Sequence, residues 1–293
     1  MKRSYGWILN LDAELELARG RPGYVPQRKL LAQLAEHGRS SRALLGPDDV
    51  LIEPDANLPL PHGLVGRAWC PTPLALASLR RSGVEPEPHP DAGVLRRVNH
   101  RLFAHELGGG LRDQSYVRTR AELLAYVDDY ARHWLLKRPL AFAGRGQMRV
   151  IGPLTEKQMT WVDVSLKRDG LLLEPLVQPT LEVSLHGFIW RDARYELGRV
   201  CAQNISDRGA FRGVRLAAPG ELAAGEHAAF SERAAGVAQA LALAGYFGPF
   251  GIDGYRYRLD GTTAFCELGE INARYTLGFV TGFPRHPSEL SLE

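Results

Sequence analysis

The sequence contains little of what marks several large classes of protein. Its 293 residues include only three cysteines, Cys70, Cys201 and Cys266, which follow neither a CxxC nor a Cys/His spacing. Such spacings are typical of zinc sites, and paired cysteines are typical of oxidising compartments. We therefore expect reduced thiols, no zinc and a cytoplasmic protein.

Long apolar runs and a strong net charge are missing as well. No stretch approaches the roughly 20 apolar residues that a membrane-spanning helix needs, and the start turns acidic before a signal-peptide core is complete. The formal net charge of +3 argues against a dedicated nucleic-acid binder but leaves room for a local anion site. With 45% hydrophobic and 24% charged residues, the composition is that of a globular protein.

Strand and helix patterns alternate along the chain without an internal repeat, and they predict an α+β or α/β fold of several layers. Three prolines in "GVEPEPHPDAG" predict a linker that ends at Gly93. Thr72-Pro73 predicts the start of one helix, and Thr119 with Glu122 forms the capping box of another. Helical spacing of apolar residues predicts a single helix from Leu95 to Leu107.

No P-loop motif, GxxxxGK[ST], is present, and "WLLKRPLAFAGRGQ" lacks the third glycine of GxGxxG. In this stretch Lys137 ends an apolar run just before a turn that contains Gly144 and Gly146. Backbone N–H groups of such a turn can bind phosphate oxygens while the ammonium group adds charge. A plain hairpin turn is the alternative interpretation.

Two carboxylates also flank an apolar link in "LLLEPLVQPTLEVSL", at Glu174 and Glu182. An extended Leu-Val segment can offer backbone donors and acceptors to a purine, and a carboxylate can accept from ribose hydroxyls. Read alone, the stretch is equally a strand with a solvated glutamate.

The last hairpin is predicted from the turn Asp260-Gly261 between two alternating strands, "FGIDGYRYRL" and "TAFCELGEIN". A simple register places Asp253 opposite Leu268, which makes Asp253 a diagonal neighbour of Glu270. A bulge at Gly269 would change that spacing.

Strand alternation places Asn272 on the face of Glu270 and Glu267 on the other face. Carboxylates and an amide at a hairpin end suit an oxygen-preferring cation such as Mg²⁺. A structural ion pair between Glu270 and Arg274, four residues on, is the alternative, and the spacing does not decide between the two.

Taken in order, these pieces resemble the ATP-grasp superfamily over about residues 95 to 280. The resemblance rests on "LLKRPLAFAGRG", "LLEPLVQPTLEVSL" and "GPFGIDGYRY…DG…ELGEINAR". It implies an ATP-grasp fold in which a smaller N-terminal α/β domain, residues 1–93, precedes two α+β subdomains that clasp ATP. Within residues 94–293, the lid is expected at about 119–177 and the C-terminal subdomain at about 178–293.

The resemblance also implies a role for each matching residue. Lys137 would contact the ATP phosphates under a loop of Gly144, Arg145 and Gly146. The expected adenine link is Glu174, Pro175, Leu176 and Val177, and the expected ribose ligand is Glu182. Asp253, Glu270 and Asn272 would hold Mg²⁺ or Mn²⁺, with Glu267 in reserve. Arg274 would face the transferring phosphoryl group and act in catalysis with Lys137.

The implied activity is that of an ATP-dependent ligase that activates a small-molecule carboxylate as an acyl-phosphate for attack by an amine or another nucleophile, such as a thiol. A kinase that stops after phosphorylation and a nucleotide-binding module without turnover are the alternatives. We expect no nucleic-acid or membrane partner, and the chain could pair as a homodimer.

Overall fold

The computed structural model describes residues 3–20, 23–26, 41–53, 59–127, 132–141, 146–205 and 211–292. These residues form three β-sheets with helices beside them, which confirms the predicted mixture of strands and helices. All three cysteines are buried and free. No helix within these ranges is both long and apolar enough to cross a membrane.

The first sheet is parallel, with strand order β2-β1-β3-β4. Its strands are β1 (Tyr5–Ile8), β2 (Val50–Leu51), β3 (Val65–Ala68) and β4 (Glu85–Pro86). Helix α1 (Ala13–Arg19) follows β1, helix α2 (Pro73–Arg81) follows β3, and a short 3₁₀ helix (Arg42–Leu44) precedes β2. Thr72 is the N-cap of α2, as predicted, since the Pro73 ring has the backbone angle of a first helical turn.

Two helices lead from the first sheet to the rest of the chain, α3 (Ala92–Val98) and α4 (Arg101–Glu106). The predicted domain boundary at residue 93 falls at the start of α3. The prediction of one continuous helix here was wrong, because the imidazole of His100 accepts from the Leu102 N–H and starts a new helix. Asn99, at the break, accepts from the N–H of Ala273 at 2.8 Å and so ties the break to the end of the last strand.

The second sheet, which we call the lid, is antiparallel with strand order β5-β8-β6-β7. It consists of β5 (Ser115–Val117), β6 (Trp134–Lys137), β7 (Gln147–Val150) and β8 (Leu171–Pro175), with helices α5 (Arg120–Val127) and α6 (Glu156–Asp169). Alternation along β6 buries Trp134 and Leu136 in the lid's own apolar core. Lys137 therefore points away from that core.

The third sheet is the largest, with strand order β12-β11-β9-β13-β14 and β10 beside β9. It consists of β9 (Gln178–Ile189), β10 (Tyr195–Leu197), β11 (Cys201–Ile205), β12 (Phe211–Leu216), β13 (Gly248–Leu259) and β14 (Thr262–Asn272). Helix α7 (Ala224–Leu243) packs against it, and helix α8 (Phe279–Gly282) and a 3₁₀ helix (Pro287–Glu289) follow it. Asp260 and Gly261 both have positive φ, as the predicted two-residue hairpin turn requires.

One apolar core joins the first sheet to the third, with Trp7, Leu95, Phe250 and Phe279 among its buried members. The lid, by contrast, has a core of its own. Besides its connecting segments, the lid meets the remainder through polar contacts, such as those from Arg101 to the carbonyl oxygens of Arg138 and Pro139 and the ion pair of Arg96 with Asp169.

Arg67 of β3 links the first sheet to the end of the chain, with only 1% of its side chain exposed. Its guanidinium forms two bonds of 2.7 Å to Glu87 and donates to the carbonyl oxygens of Pro287, at 2.6 Å, and Leu290, at 3.0 Å. Tyr5 stacks against it and donates its hydroxyl to Leu290 O. A buried guanidinium needs this number of acceptors to offset its lost hydration.

Candidate active site

The two strands of the last hairpin bring Asp253 and Glu270 directly opposite each other. The predicted register, with Asp253 opposite Leu268, was wrong because the pairing shifts between Asp253 and Tyr255. Tyr255 faces Cys266, so two steps along β13 correspond to four along β14. The extra residues form a bulge that turns a diagonal pair into a facing one.

Asp253 is held by two amide groups, from Asn272 at 2.8 Å and Gln203 at 3.0 Å. The pKa of Asp253 is raised from 3.8 to about 7, mainly by burial and then by the charge of Glu270, against the lowering effects of Arg274 and Asn272. Two facing carboxylates in a desolvated place repel each other when both are charged. A cation is the group that would compensate them.

Glu270 has its own cationic neighbour, Arg101 at the start of α4, with 2.8 Å between Nη2 and Oε1. Only 6% of the Arg101 side chain is exposed, and its Nη1 donates to the carbonyl oxygen of Arg138. The structural pair of Glu270 with Arg274, which the spacing also allowed, is therefore replaced by a pair with a residue from a distant part of the chain.

Arg274 forms its ion pair with Glu14 of α1 and lies over the indole ring of Trp69. Its Nη2 donates to Asn272 Oδ1 at 2.9 Å, which orients the amide that in turn holds Asp253. The second carboxylate oxygen of Glu14 is buried without a protein partner. Arg274 thus lies beside the carboxylate pair, and its catalytic role stays a prediction.

Lys137 of the lid pairs with Glu174, with 2.5 Å between Nζ and Oε1 and exposed fractions of 13% and 5%. Glu182 lies near the same ammonium group: burial raises the pKa of Glu182, and the charge of Lys137 lowers it. Glu182 also acts on the pKa of Asp253. One polar patch therefore runs from Lys137 through Glu182 to Asp253, across the junction of the lid and the third sheet.

The predicted adenine link lies where the chain passes from the lid to the third sheet. Leu176 and Val177 are the two residues between β8 and β9, and both are partly exposed. Pro175 has no N–H group, and the N–H of Leu176 donates to His133 O at 2.8 Å. Val177 is thus the residue of this link whose N–H is best placed to meet a purine.

The predicted phosphate loop is only partly described, because Gly144 and Arg145 lie outside the described residues. Gly146 has a φ of 71°, a left-handed conformation that favours glycine. Its carbonyl oxygen accepts from the N–H of Arg138 at 2.8 Å and closes the turn.

Glu267 points to a different element. Its carboxylate pairs with Arg233 of α7, with 3.3 Å between Nη2 and Oε2. Arg233 also donates to the carbonyl oxygen of Leu107 at 3.0 Å. Glu267 thus contacts α7, whereas Glu270 lies opposite Asp253. The place of Glu267 as a reserve metal ligand stays a prediction.

The donor set fits a hard cation. Asp253, Glu270 and Asn272 present oxygen atoms, the ligands that Mg²⁺ and Mn²⁺ prefer, and the pKa of Asp253 is raised first by burial and then by the charge of Glu270. Within the described ranges, no three His, Cys, Asp or Glu side chains form a ready-made metal site. An ion here would complete its shell with phosphate oxygens and water, as is usual for nucleotide-bound Mg²⁺.

Nothing in the sequence around Arg101 and Glu14 indicates that they belong to the site, although both contact it. Each lies in the first turn of an ordinary helix, and tertiary packing brings each to its partner.

Neither a family model nor a curated protein sequence matches the chain. Solved structures do match its fold. N5-carboxyaminoimidazole synthetase from Staphylococcus aureus, complexed with ADP, has a TM-score of 0.54 at 12% identity, with 94% of this chain and 71% of that chain covered. Carboxyaminoimidazole ribonucleotide synthase from Aspergillus clavatus, complexed with ATP, has a TM-score of 0.54 at 15% identity, with 100% and 78% covered.

Pyruvate carboxylase from Rhizobium etli has a TM-score of 0.59 at 13% identity, with 96% of this chain and 27% of that chain covered. All three are ATP-grasp enzymes. The chain therefore has the ATP-grasp fold, as the ordered motifs implied.

Proposed function

We propose that this protein is an ATP- and Mg²⁺-dependent ligase that activates a substrate carboxylate as an acyl-phosphate for attack by an amine. The observation that carries the proposal is the facing pair of Asp253 and Glu270 at one end of a polar patch, with Lys137 of the lid at the other. Similar structures that contain ADP or ATP support a nucleotide between such elements.

In this proposal the lid and the third sheet hold ATP between them. Val177 meets the adenine through its backbone N–H, and Glu182 accepts from the ribose hydroxyls. Lys137 binds the phosphates as a point charge, which requires it to exchange part of its contact with Glu174 for the nucleotide. The turn closed by Gly146 covers the phosphates.

Asp253, Glu270 and Asn272 would hold Mg²⁺ or Mn²⁺, which when bound neutralises phosphate charge. Arg101 orients the Glu270 carboxylate, and Gln203 orients that of Asp253. Such supporting contacts determine how well a carboxylate serves as a ligand.

The first step joins a carboxylate oxygen of the substrate to the γ-phosphorus of ATP, and the bond from that phosphorus to the bridging oxygen breaks, so that ADP leaves. The amine then attacks the acyl carbon, phosphate departs with the electron pair, and the amine loses a proton. Lys137 and Arg274 stabilise negative charge in the transferring group. Closure of the lid keeps water from the acyl-phosphate.

The test is release of ADP and phosphate by the full chain with Mg·ATP, over a panel of carboxylic acids with and without amines. We expect turnover that requires one acid and one amine and that yields an amide. A stable phosphorylated product without an amide would indicate a kinase instead, and tight Mg·ATP binding without turnover would indicate a nucleotide-binding module. Absence of ATP binding would contradict the proposal and both alternatives.

A further inference from the structure

A second cleft lies between the lid and the first part of the chain, with a volume of about 1010 Å³. One wall is formed by the end of α1, including Arg19, and by Tyr24. The other wall is the lid turn after β6 and the end of α6. The volume is that of a site for a small organic molecule.

The lining of this cleft is strongly basic. Its described lining residues include five cationic side chains and one carboxylate, Asp169, an excess of four positive charges among them in a chain whose net charge is +3. The cationic residues are Arg19, Arg96, Arg138, Lys167 and Arg168.

Asp169 compensates only one of these five cations, because it is paired with Arg96. Arg96 binds it at 2.6 Å, and His100 Nε2 lies 3.3 Å away. Among the described side chains, no carboxylate pairs with Arg19, Arg138, Lys167 or Arg168. A cleft with this field attracts small anions and raises their local concentration.

Arg138 is a cation of the cleft whose side chain is held by defined contacts. It is half-buried, its Nε donates to Ser165 Oγ at 2.9 Å, and its guanidinium lies 4.7 Å from the centre of the Trp161 ring. Burial and the nearby charge of Arg168 lower the pKa of Arg138. A guanidinium fixed in this way is preorganised for a bidentate oxyanion contact.

The cleft adjoins the candidate nucleotide site. Arg138 follows Lys137 in the chain, but its side chain contacts α6 whereas Lys137 contacts Glu174. The carbonyl oxygen of Arg138 accepts from Arg101, which binds Glu270. Arg101 therefore connects a residue that lines the cleft to a proposed metal ligand.

We infer that this basic cleft binds a doubly charged oxyanion group, a phosphate monoester or a dicarboxylate, carried by one of the two substrates. That the anion belongs to a substrate rests on the proposed function, whereas the binding of the anion does not. Leu15, Tyr24 and Leu140 provide apolar surface beside the cations, so the rest of the ligand has a ring or another apolar body.

The test is calorimetry on the full chain saturated with Mg·AMP-PNP, whose own affinity is measured first. The probes are phenyl phosphate, phthalate and neutral phenol. We expect phenyl phosphate or phthalate to bind, and phenol not to bind. Tighter binding of phenyl phosphate would indicate a phosphate monoester as the natural ligand, and tighter binding of phthalate would indicate a dicarboxylate. Lys167→Gln with Arg168→Gln should weaken binding of the anion about 10-fold or more, because the variant loses charge-assisted bonds to it.

Both substituted residues are exposed, so this double variant should keep its fold. Arg138→Gln is the second variant and should weaken the same probe, whereas Arg194→Gln, at an exposed pair with Asp192, should not. Three results would each overturn the inference. They are absence of anion binding, an unchanged affinity for the anion in the double variant, and loss of anion binding when AMP-PNP is present. Failure of the ligase proposal appears separately, as missing nucleotide binding or turnover.

Discussion

Arg101 joins Glu270 to Arg138: one terminal nitrogen donates to the Glu270 carboxylate at 2.8 Å, and the other donates to the Arg138 carbonyl oxygen. The backbone N–H of Arg101 also donates to Pro139 O at 3.0 Å. Arg101 thus fixes a proposed metal ligand relative to the lid turn.

Arg101→Lys should impair the response to Mg²⁺ more than the binding of ATP. A lysine cannot reach both oxygen acceptors with the planar fork of arginine, so the orientation of Glu270 is lost. We expect the Mg²⁺ concentration for half-maximal turnover to rise about 10-fold or more, the usual effect of losing a contact to a metal ligand. Arg97→Lys, on the exposed side of α3, is the matched control. Equal Mg²⁺ titrations for the two variants would contradict this role.

Glu270→Gln and Glu267→Gln form a pair of variants on one strand. Loss of the Glu270 charge should reduce metal-dependent turnover on the order of 10²-fold, as when a preorganised charge stabiliser is removed. Loss of the Glu267 charge removes only a partly exposed pair with Arg233 and should change turnover little. Steady-state rates at saturating Mg·ATP check this, with circular dichroism to confirm the fold. A larger loss in the Glu267 variant would reverse the assignment.

Lys137→Ala should weaken nucleotide binding and also destabilise the lid. Removing the ammonium group leaves Glu174, with 5% of its side chain exposed, as an unpaired buried carboxylate. Breaking a buried pair on one side costs about 3–5 kcal/mol. The double variant with Glu174→Gln should recover much of the stability but not the affinity for Mg·ATP. Thermal unfolding and calorimetry on the same samples separate the two effects, and recovery of both would remove Lys137 from the phosphate site.

His186 should make the protein less stable in acid. Its ring is buried between Ser184 and Thr276, and desolvation lowers its pKa from 6.5 to about 4. The unfolded chain takes up a proton below about pH 6.5, whereas the folded chain does so only near pH 4, so stability falls as the pH drops through this window. The expected loss is about 2 kcal/mol at pH 5 and about 3 kcal/mol in full.

Urea unfolding of the wild type and of His186→Gln at pH 7 and pH 5 measures this loss. The variant should lose less stability than the wild type between the two values. An equal loss in both proteins would assign the acid sensitivity to other groups.

The sequence predicted the last hairpin well because its signals are local. The Asp260-Gly261 turn and the alternation around it require no information from elsewhere. The register was wrong because the bulge depends on a close approach between strands: a Cβ on Gly269 would lie 2.7 Å from the Tyr255 ring. Such a fit is decided by packing, which a strand pattern does not encode.

Contacts between distant parts of the chain were beyond prediction for a related reason. Glu270 meets Arg101 across 169 residues, and Arg274 meets Glu14 across 260. Lys137 and Glu174 were assigned to different parts of a nucleotide site, and their mutual contact follows from the pairing of β6 with β8. Residue types and their order therefore indicated the site, while its electrostatic partners emerged only from the topology.

The acceptors of Arg67 have a consequence for how the protein is made. During synthesis β3 leaves the ribosome long before Pro287 and Leu290, which lie 220 and 223 residues further on. Until they arrive, this guanidinium lacks two of its acceptors, and its burial remains unfavourable. The first sheet therefore reaches its final state only when Pro287 and Leu290 are present. A nascent chain that stalls before them would expose Arg67 without these two acceptors.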